Sequence, residues 1–485
     1  MSKKNSIGSG LAWSFGERIT AQLVTTVVGI VLARLLDPVH YGAISIVNVL
    51  ITLCNVFVTS GMGSALVQKK EISEKDYDTA FLLSLVIAAA MYGLLFAAAP
   101  LIASFYGMPV LKNVIRVMGL RLPLASVNTI QQAKVQREMS FKRFFVATLF
   151  GTVLSGIVGI GLAWKGFGVW ALVAQYLTNT TVDTIVLIFV EKWIPRLRFS
   201  GENAKAIFSF GWKVLATELV YTIEEDIRSL VVGKVFGSAD LAFYDQGQKY
   251  PGLLVNNLNA AINKVMLPAY SRSQEDLTQL KAMLRRSISM GVFLLAPVLV
   301  GFAAVSENFI RLVLTEKWLP CMPFLQIFCV IYLTRPLETA CHQALLAIGR
   351  SDVVLKIMVA INGVALAAVL IAAFGFHSVL LVAFGALLAT AVSLCGFLYS
   401  TAKLLNYRPK EQLWDILPAL GCSLVMGIAV VLLGQLPVNR IALLALQVIS
   451  GGCIYVLLAK IIRLEALAYL LGMLKKGVKT NGTQE

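Results

Sequence analysis

Residues 353–402 read VVLKIMVAINGVALAAVLIAAFGFHSVLLVAFGALLATAVSLCGFLYSTA, and Lys356 is the one formally charged residue among the fifty. At 1.5 Å of rise per residue, each half of this stretch is long enough as a helix to cross a ~30 Å hydrocarbon layer. Gly375 divides the halves and His377 follows it. A soluble protein would have to solvate the outer face of such helices and has nothing here to do it with. The stretch therefore predicts two adjacent membrane spans.

The same pattern extends in both directions. Predicted spans cover 11–33, 41–67, 79–104, 110–134, 144–164, 168–190, 205–232, 239–269, 283–304, 319–347, 353–374, 376–402, 413–434 and 440–462. The expected fold class is thus an all-α polytopic membrane protein of about fourteen transmembrane helices. The composition agrees, with 58% hydrophobic residues, 14% charged residues and a mean hydropathy of +0.78. Soluble domains carry about 25% charged residues. Lys3 and Lys4 precede the first apolar run, but no small-residue cleavage site follows, so the run reads as a span and not as a signal peptide.

A net charge of +16 points to membrane topology before nucleic acid. With flanking turns counted alongside their loops, and Lys460 with the tail, Lys and Arg divide 27 to 7 between alternate loop sets. That bias predicts an even number of spans with both termini cytoplasmic. Seven cysteines, an odd number with no CxxC pair, exclude a disulfide framework or a zinc site. There is no GxxxxGK[ST] phosphate loop and no HExxH, so neither ATP hydrolysis nor metal catalysis is expected. Asp76-Tyr77-Asp78 matches a DxD motif, but its short loop leaves no room for a nucleotide-sugar domain.

The chain repeats itself at an offset of about 200. Ser14-Phe15-Gly16 recurs as Ser209-Phe210-Gly211, and LARLLDPVHYG (32–42) parallels VGKVFGSADLAFY (232–244). Gln132-Ala133 recurs as Gln343-Ala344, and Gly166-Phe167 as Gly375-Phe376. Six spans per repeat is an even number, so the repeats run parallel, as in many transporters. The expected organisation is a six-helix lobe over 1–200, a second over 201–405, and two additional helices with a tail over 406–485.

Polar residues inside the spans form stripes. Ser14, Arg18, Gln22, Thr25 and Gly29 advance by four, four, three and four residues, which is one helix face. Lys213, Thr217, Tyr221, Glu224 and Arg228 repeat those steps in the seventh span. Asn48, Thr52, Asn55 and Thr59 mark the second span; Asp245, Lys249, Gly252, Asn256, Asn259 and Asn263 mark the eighth. Ionisable groups within a membrane are costly and mark function by default. Glu224 and Glu225 stand close enough along the helix to satisfy Arg228, and Glu338 to satisfy Arg335. Arg18 and Arg121 have no such acid on their own face, and the surplus of cations suggests an anionic substrate group.

Several segments together resemble the polysaccharide transporter branch, of Wzx type, of the multidrug/oligosaccharidyl-lipid/polysaccharide flippase superfamily. They are ARLLDPVHYG (33–42), GSALVQKK (63–70), QQAKVQREMSFKRFF (131–145), GFGVWAL (166–172), Asp226–Tyr244, LPAYSR (267–272), EKWLP (316–320) and AIGRSD (347–352). Such a resemblance implies two six-helix bundles arranged in a V, with alternating access to a cationic cavity. The implied activity is transport of polyprenyl-diphosphate-linked oligosaccharide from the cytoplasmic to the outer leaflet of the bacterial cytoplasmic membrane, with no cofactor and no enzymatic step. By position, the family's cavity cations correspond to Arg18 and Lys249. Ala242 stands where the pattern expects Gly before Phe243-Tyr244.

The substrate-binding candidates are accordingly Arg18, Gln22, Arg121, Lys249, Asn256, Asn259 and Arg335. Glu218, Glu224 and Asp226 are the candidates for binding H⁺ or Na⁺ as a coupling ion, since carboxylates in a partly dry cavity can titrate near neutrality. The partners expected are the lipid-linked glycan and membrane lipids, not nucleic acid. Two alternatives stand beside this reading. A cation-coupled drug antiporter of the same superfamily draws on the acids of the seventh span. A membrane polysaccharide polymerase or ligase would need a long outer loop, and every predicted outer loop is short.

Overall fold

The computed structural model describes residue 20 and residues 22–469 except 60, 70, 139, 192, 195 and 197; the side chains of 141–144, 221, 224, 225, 257, 258, 260–265 and 268 lie outside the description as well. Among the described residues there is no strand. The helices are α1 (Gln22–Leu35), α2 (Pro38–Thr59), α3 (Met62–Gln68), α4 (Glu74–Tyr106), α5 (Val110–Met118), α6 (Arg121–Glu138), α7 (Phe141–Trp164), α8 (Val169–Glu191), α9 (Gly201–Val235) and α10 (Ser238–Arg272). They continue with α11 (Leu277–Ala304), α12 (Ser306–Phe309), α13 (Met322–Leu333), α14 (Arg335–Ala347), α15 (Ser351–Leu370), α16 (Val379–Leu405), α17 (Pro409–Leu433) and α18 (Arg440–Ile461).

Ten helical stretches among the described residues are long and apolar enough to cross a membrane, and they fall on ten of the fourteen predicted spans. The other four predictions fall on α1, on α5 with α6, and on α9 and α10. Where described, all four are helical: residues 11–19 and 21 of the first lie outside the described residues, α5 with α6 is broken, and α9 and α10 are more polar. The fourth predicted span is two helices, because α5 stops at Met118 and α6 starts anew at Arg121.

The chain forms two compact units, Met1–Ala242 and Phe243–Glu485. This packing boundary lies some forty residues beyond the repeat boundary read from the sequence, because α9 packs on α2, α3 and α4 of the first unit. The repeat itself is visible in local structure. α1 ends at Leu35 and α2 begins at Pro38; α9 ends at Val235 and α10 begins at Ser238, a register of 200 residues.

In lipid, helices associate through close packing more than through the hydrophobic effect, so small residues sit where backbones approach. In the first unit, a Cβ on Gly42 would lie 1.7 Å from the Ser238 carbonyl oxygen. Gly61, at φ +90° between α2 and α3, has its would-be Cβ 2.4 Å from the Gly211 carbonyl oxygen of α9. No other residue type fits either constraint without displacement. Ser84 on α4 donates to the Val58 carbonyl at 2.9 Å, which ties α4 to α2.

The second unit pairs α11 with α17 and α15 with α16 most extensively. One end is clamped by charge: Arg285 of α11 donates from Nε and Nη2 to the two Asp415 carboxylate oxygens of α17, at 2.7 and 2.6 Å. Tyr407, in the turn between α16 and α17, donates to the same carboxylate at 2.5 Å. Burial, and then that hydrogen bond, push the Tyr407 phenol well above its ordinary range, so it remains a donor at physiological pH.

Candidate functional site: a polar cavity in the first unit

The break before α6 places a charged residue deep in the first unit. α5 ends at Met118, Gly119-Leu120 make the turn, and Arg121 is the first residue of α6. Its guanidinium donates from Nε to Thr180 Oγ1 at 3.2 Å and from Nη1 to Asn48 Oδ1 at 3.4 Å. It also lies over the Tyr176 ring, 5.1 Å from the centroid, an attractive cation–π arrangement. Neither of the two hydrogen-bonding groups is an acid.

Arg121 opens into a cavity of about 480 Å³ walled by α2, α3, α6 and α8. That volume lies within the range of small-molecule sites. The lining is mostly polar, with Thr52, Asn55 and Thr59 from α2, Ser64 from α3, Asn128, Thr129, Gln132 and Gln136 from α6, and Asn179, Thr180 and Asp183 from α8; Ile51, Ala125 and Ala133 line it as well. The threonine hydroxyls spend their protons on the preceding turn. Thr59, Thr129 and Thr180 donate to the carbonyls of Asn55, Ala125 and Tyr176 at 2.9, 2.7 and 3.1 Å. Their oxygen lone pairs remain as acceptors. The Oδ1 atoms of Asn55 and Asp183 are buried without a hydrogen-bond partner.

Tyr176, Asn179, Thr180 and Asp183 advance by three, one and three residues and form one face of α8. Asp183 rests against α7 at Gly151, where a Cβ would be 1.9 Å from Oδ1 and 3.3 Å from Asn179 Nδ2. The glycine makes the notch that holds the carboxyl.

The sequence-derived candidates fall in different places. Arg121 lines the cavity, and so do Thr52, Asn55 and Thr59 of the second-span stripe; Asn48 holds the guanidinium. Gln22 lies half-buried on α1, and its backbone carbonyl accepts from Thr26 at 2.7 Å. Arg18 lies outside the described residues. In the second unit, Lys249 and Asn256 are exposed on α10 and Asn259 is half-buried; Asn263 lies outside the described side chains. The Tyr332 hydroxyl approaches α10 at Gly252, 3.1 Å from where a Cβ would stand, beside Lys249 and Asn256 on that face. Arg335, the first residue of α14, lies 5.8 Å over the Tyr332 ring and pairs with Glu338 at 3.7 Å. Among the ion candidates, Glu218 is exposed on α9, Asp226 is half-buried and already engaged by a neighbour, and the Glu224 side chain is outside the description.

The α8 row is one helical face in the sequence, set within a span whose apolar length is the stronger signal. Among the described residues, no cluster of three or more His, Cys, Asp or Glu side chains is placed to hold a metal ion.

Residues 31–323 match the family model for "Polysaccharide biosynthesis protein". The teichuronic acid biosynthesis protein TuaB of Bacillus subtilis (strain 168) is 24% identical over 299 residues, 61% of this chain and 62% of TuaB's length. The lipopolysaccharide biosynthesis protein WzxC of Escherichia coli (strain K12) is 26% identical over 360 residues, 73% of each chain. The fold is that of the lipid II flippase MurJ in its inward closed conformation, with a TM-score of 0.75 over 92% of this chain and 98% of that one, at 15% identity. An inward-facing multidrug resistance MATE family transporter of the MOP superfamily shares it at a TM-score of 0.60, 16% identity, and 79% and 94% coverage. With 293 contiguous residues accounted for by one family model, the chain belongs to the polysaccharide biosynthesis protein family.

Proposed function

We propose that this protein is a flippase that carries a polyprenyl-diphosphate-linked oligosaccharide from the cytoplasmic to the outer leaflet by alternating access. The observation that carries the reading is a polar, amide- and hydroxyl-lined cavity holding a guanidinium among helices of membrane-spanning length. A sugar cannot shed its water into hydrocarbon unless its hydroxyls find other partners, and such a lining supplies them. The names of TuaB and WzxC, which belong to the synthesis of surface polymers, and of the flippase MurJ support the same substrate class.

In this reading Arg18 and Lys249 neutralise the carrier's diphosphate, Asn256 and Asn259 bond sugar hydroxyls, and the first-unit cavity holds part of the glycan. The protein resides in the bacterial cytoplasmic membrane with both termini inside and acts on its substrate without altering a covalent bond. The acids Glu218, Glu224 and Asp226 are assigned to H⁺ or Na⁺ coupling. Deleting the gene is expected to trap a lipid-linked glycan on the inner leaflet, and restoring the gene to release it. A deletion strain with normal surface polymer and no trapped intermediate would sink the proposal.

A further inference from the structure

α4 and α11 share an element at an offset of 197 residues. Phe96-Ala97-Ala98-Ala99-Pro100 recurs as Phe293-Leu294-Leu295-Ala296-Pro297. Each proline stands inside its helix, about two turns before the end at Tyr106 or Ala304. Proline has no N–H to give the carbonyl four residues back, and its ring pushes that carbonyl aside. The carbonyls left open are those of Phe96 and Phe293.

An open backbone carbonyl is costly inside a membrane unless a neighbouring group supplies a donor. Each of these two finds one within its own unit. Arg116 of α5 donates from Nε to the Phe96 carbonyl at 3.4 Å and lies over the Phe96 ring, 4.2 Å from its centroid. Tyr455 of α18 donates its hydroxyl to the Phe293 carbonyl at 2.8 Å. Both of these residues are buried, with their ring centroids 5.3 Å apart. α5 belongs to the repeat, whereas α18 lies beyond it. The break thus stands at the same place in both repeats, while the group that closes it comes from unrelated elements. Alanine at either proline would remove the need for any donor, so the break itself is the common feature.

We propose that Pro100 and Pro297 are a matched pair of hinges at which α4 and α11 bend as the transporter changes the face it opens. Arg116 and Tyr455 are the catches that hold the open carbonyls. This inference rests on the flippase reading, since alternating access requires segments that change shape. A helix resists bending through its ladder of hydrogen bonds, and each of these helices lacks one rung. Hinges are a few such positions that absorb backbone change while the packed segments on either side move as bodies.

The test uses the full-length protein, with a fluorescent polyprenyl-diphosphate disaccharide in proteoliposomes and thermal melting in detergent. Pro100→Ala/Pro297→Ala restores both rungs and should slow transport at least fivefold, while the melting temperature holds or rises. Pro100→Gly/Pro297→Gly restores the N–H groups but leaves the backbone free to bend, and should keep at least half the wild-type rate. A smaller loss in the alanine pair would overturn the hinges. So would an equal loss in the two pairs, or an alanine pair that fails to fold, since the prolines would then serve packing alone. Tyr455→Phe should lower the melting temperature by about 2 °C or more. In the Pro297→Ala background the same change should cost less than half of that, because the new backbone N–H already serves the Phe293 carbonyl. An equal cost in both backgrounds would overturn the Tyr455 catch. A wild type that moves no glycan would overturn the flippase reading itself, an outcome distinct from each of these.

Discussion

The Asp183 carboxyl of α8 is seated against Gly151 of α7 so closely that a methyl group at 151 would stand 1.9 Å from Oδ1. A helix–helix contact thus fixes the position of an acid on the cavity wall. The contact makes the two positions energetically dependent. Gly151→Ala is expected to destabilise by about 1–3 kcal/mol through overpacking. Asp183→Ala in the same chain should remove most of that penalty, because it removes the clashing atom. A double-mutant cycle on thermal stability in detergent reads the coupling; additive effects would show that the notch does not hold the carboxyl.

Gly61 is a structural hinge between α2 and α3. Alanine there must adopt φ near +90° and also meet the Gly211 carbonyl at 2.4 Å. The left-handed backbone costs about 1 kcal/mol and the clash about 1–3 kcal/mol more. Gly61→Ala should therefore lower the melting temperature and the membrane yield. Gly93→Ala, in the interior of α4 with nothing within 4 Å, should leave both at or above the wild-type level. Equal behaviour of the two variants would contradict the packing described for Gly61.

Both termini are expected inside, with the loop at 165 outside and those at 75 and 275 inside, as the 27-to-7 division of Lys and Arg requires. Reporter fusions after residues 75, 165, 275 and 480 read this directly. An outer-face signal at 275 or 480 would reverse the topology.

The ten apolar spans were legible because hydropathy over 20 residues is a strong signal, as in 353–402. The α5–α6 break was not. Gly119-Leu120 within 110–134 is one glycine among many in membrane helices, which tolerate it. Arg121 was legible as an intramembrane cation, and so was the Thr52, Asn55 and Thr59 stripe on α2. Asp183 escaped because its span passes as apolar, and only the α7 contact at Gly151 shows the acid held in place. The association of α9 with the first unit was equally hidden: the repeat marks where the sequence begins again, and packing follows the glycine contact with Gly61.

Arg18 and Lys249 carry the proposed diphosphate site. The double variant Arg18→Ala/Lys249→Ala should reach the membrane at a normal level and lose surface-polymer export by at least tenfold, since fixed cations in a low-dielectric setting offset much of the desolvation of a diphosphate. If the two side chains only balance buried acids, the variant should instead lose yield. Normal export by a well-expressed variant would remove both from the site.

Leaflet accessibility of a fluorescent polyprenyl-diphosphate disaccharide in sealed proteoliposomes is the most direct measurement of the central claim. With the purified protein present, and without ATP, the share of glycan open to an external glycan-cleaving enzyme should rise from about half to nearly all. Protein-free vesicles should stay at half. A share that remains at half with the protein present, under every imposed H⁺ or Na⁺ gradient, would contradict the account.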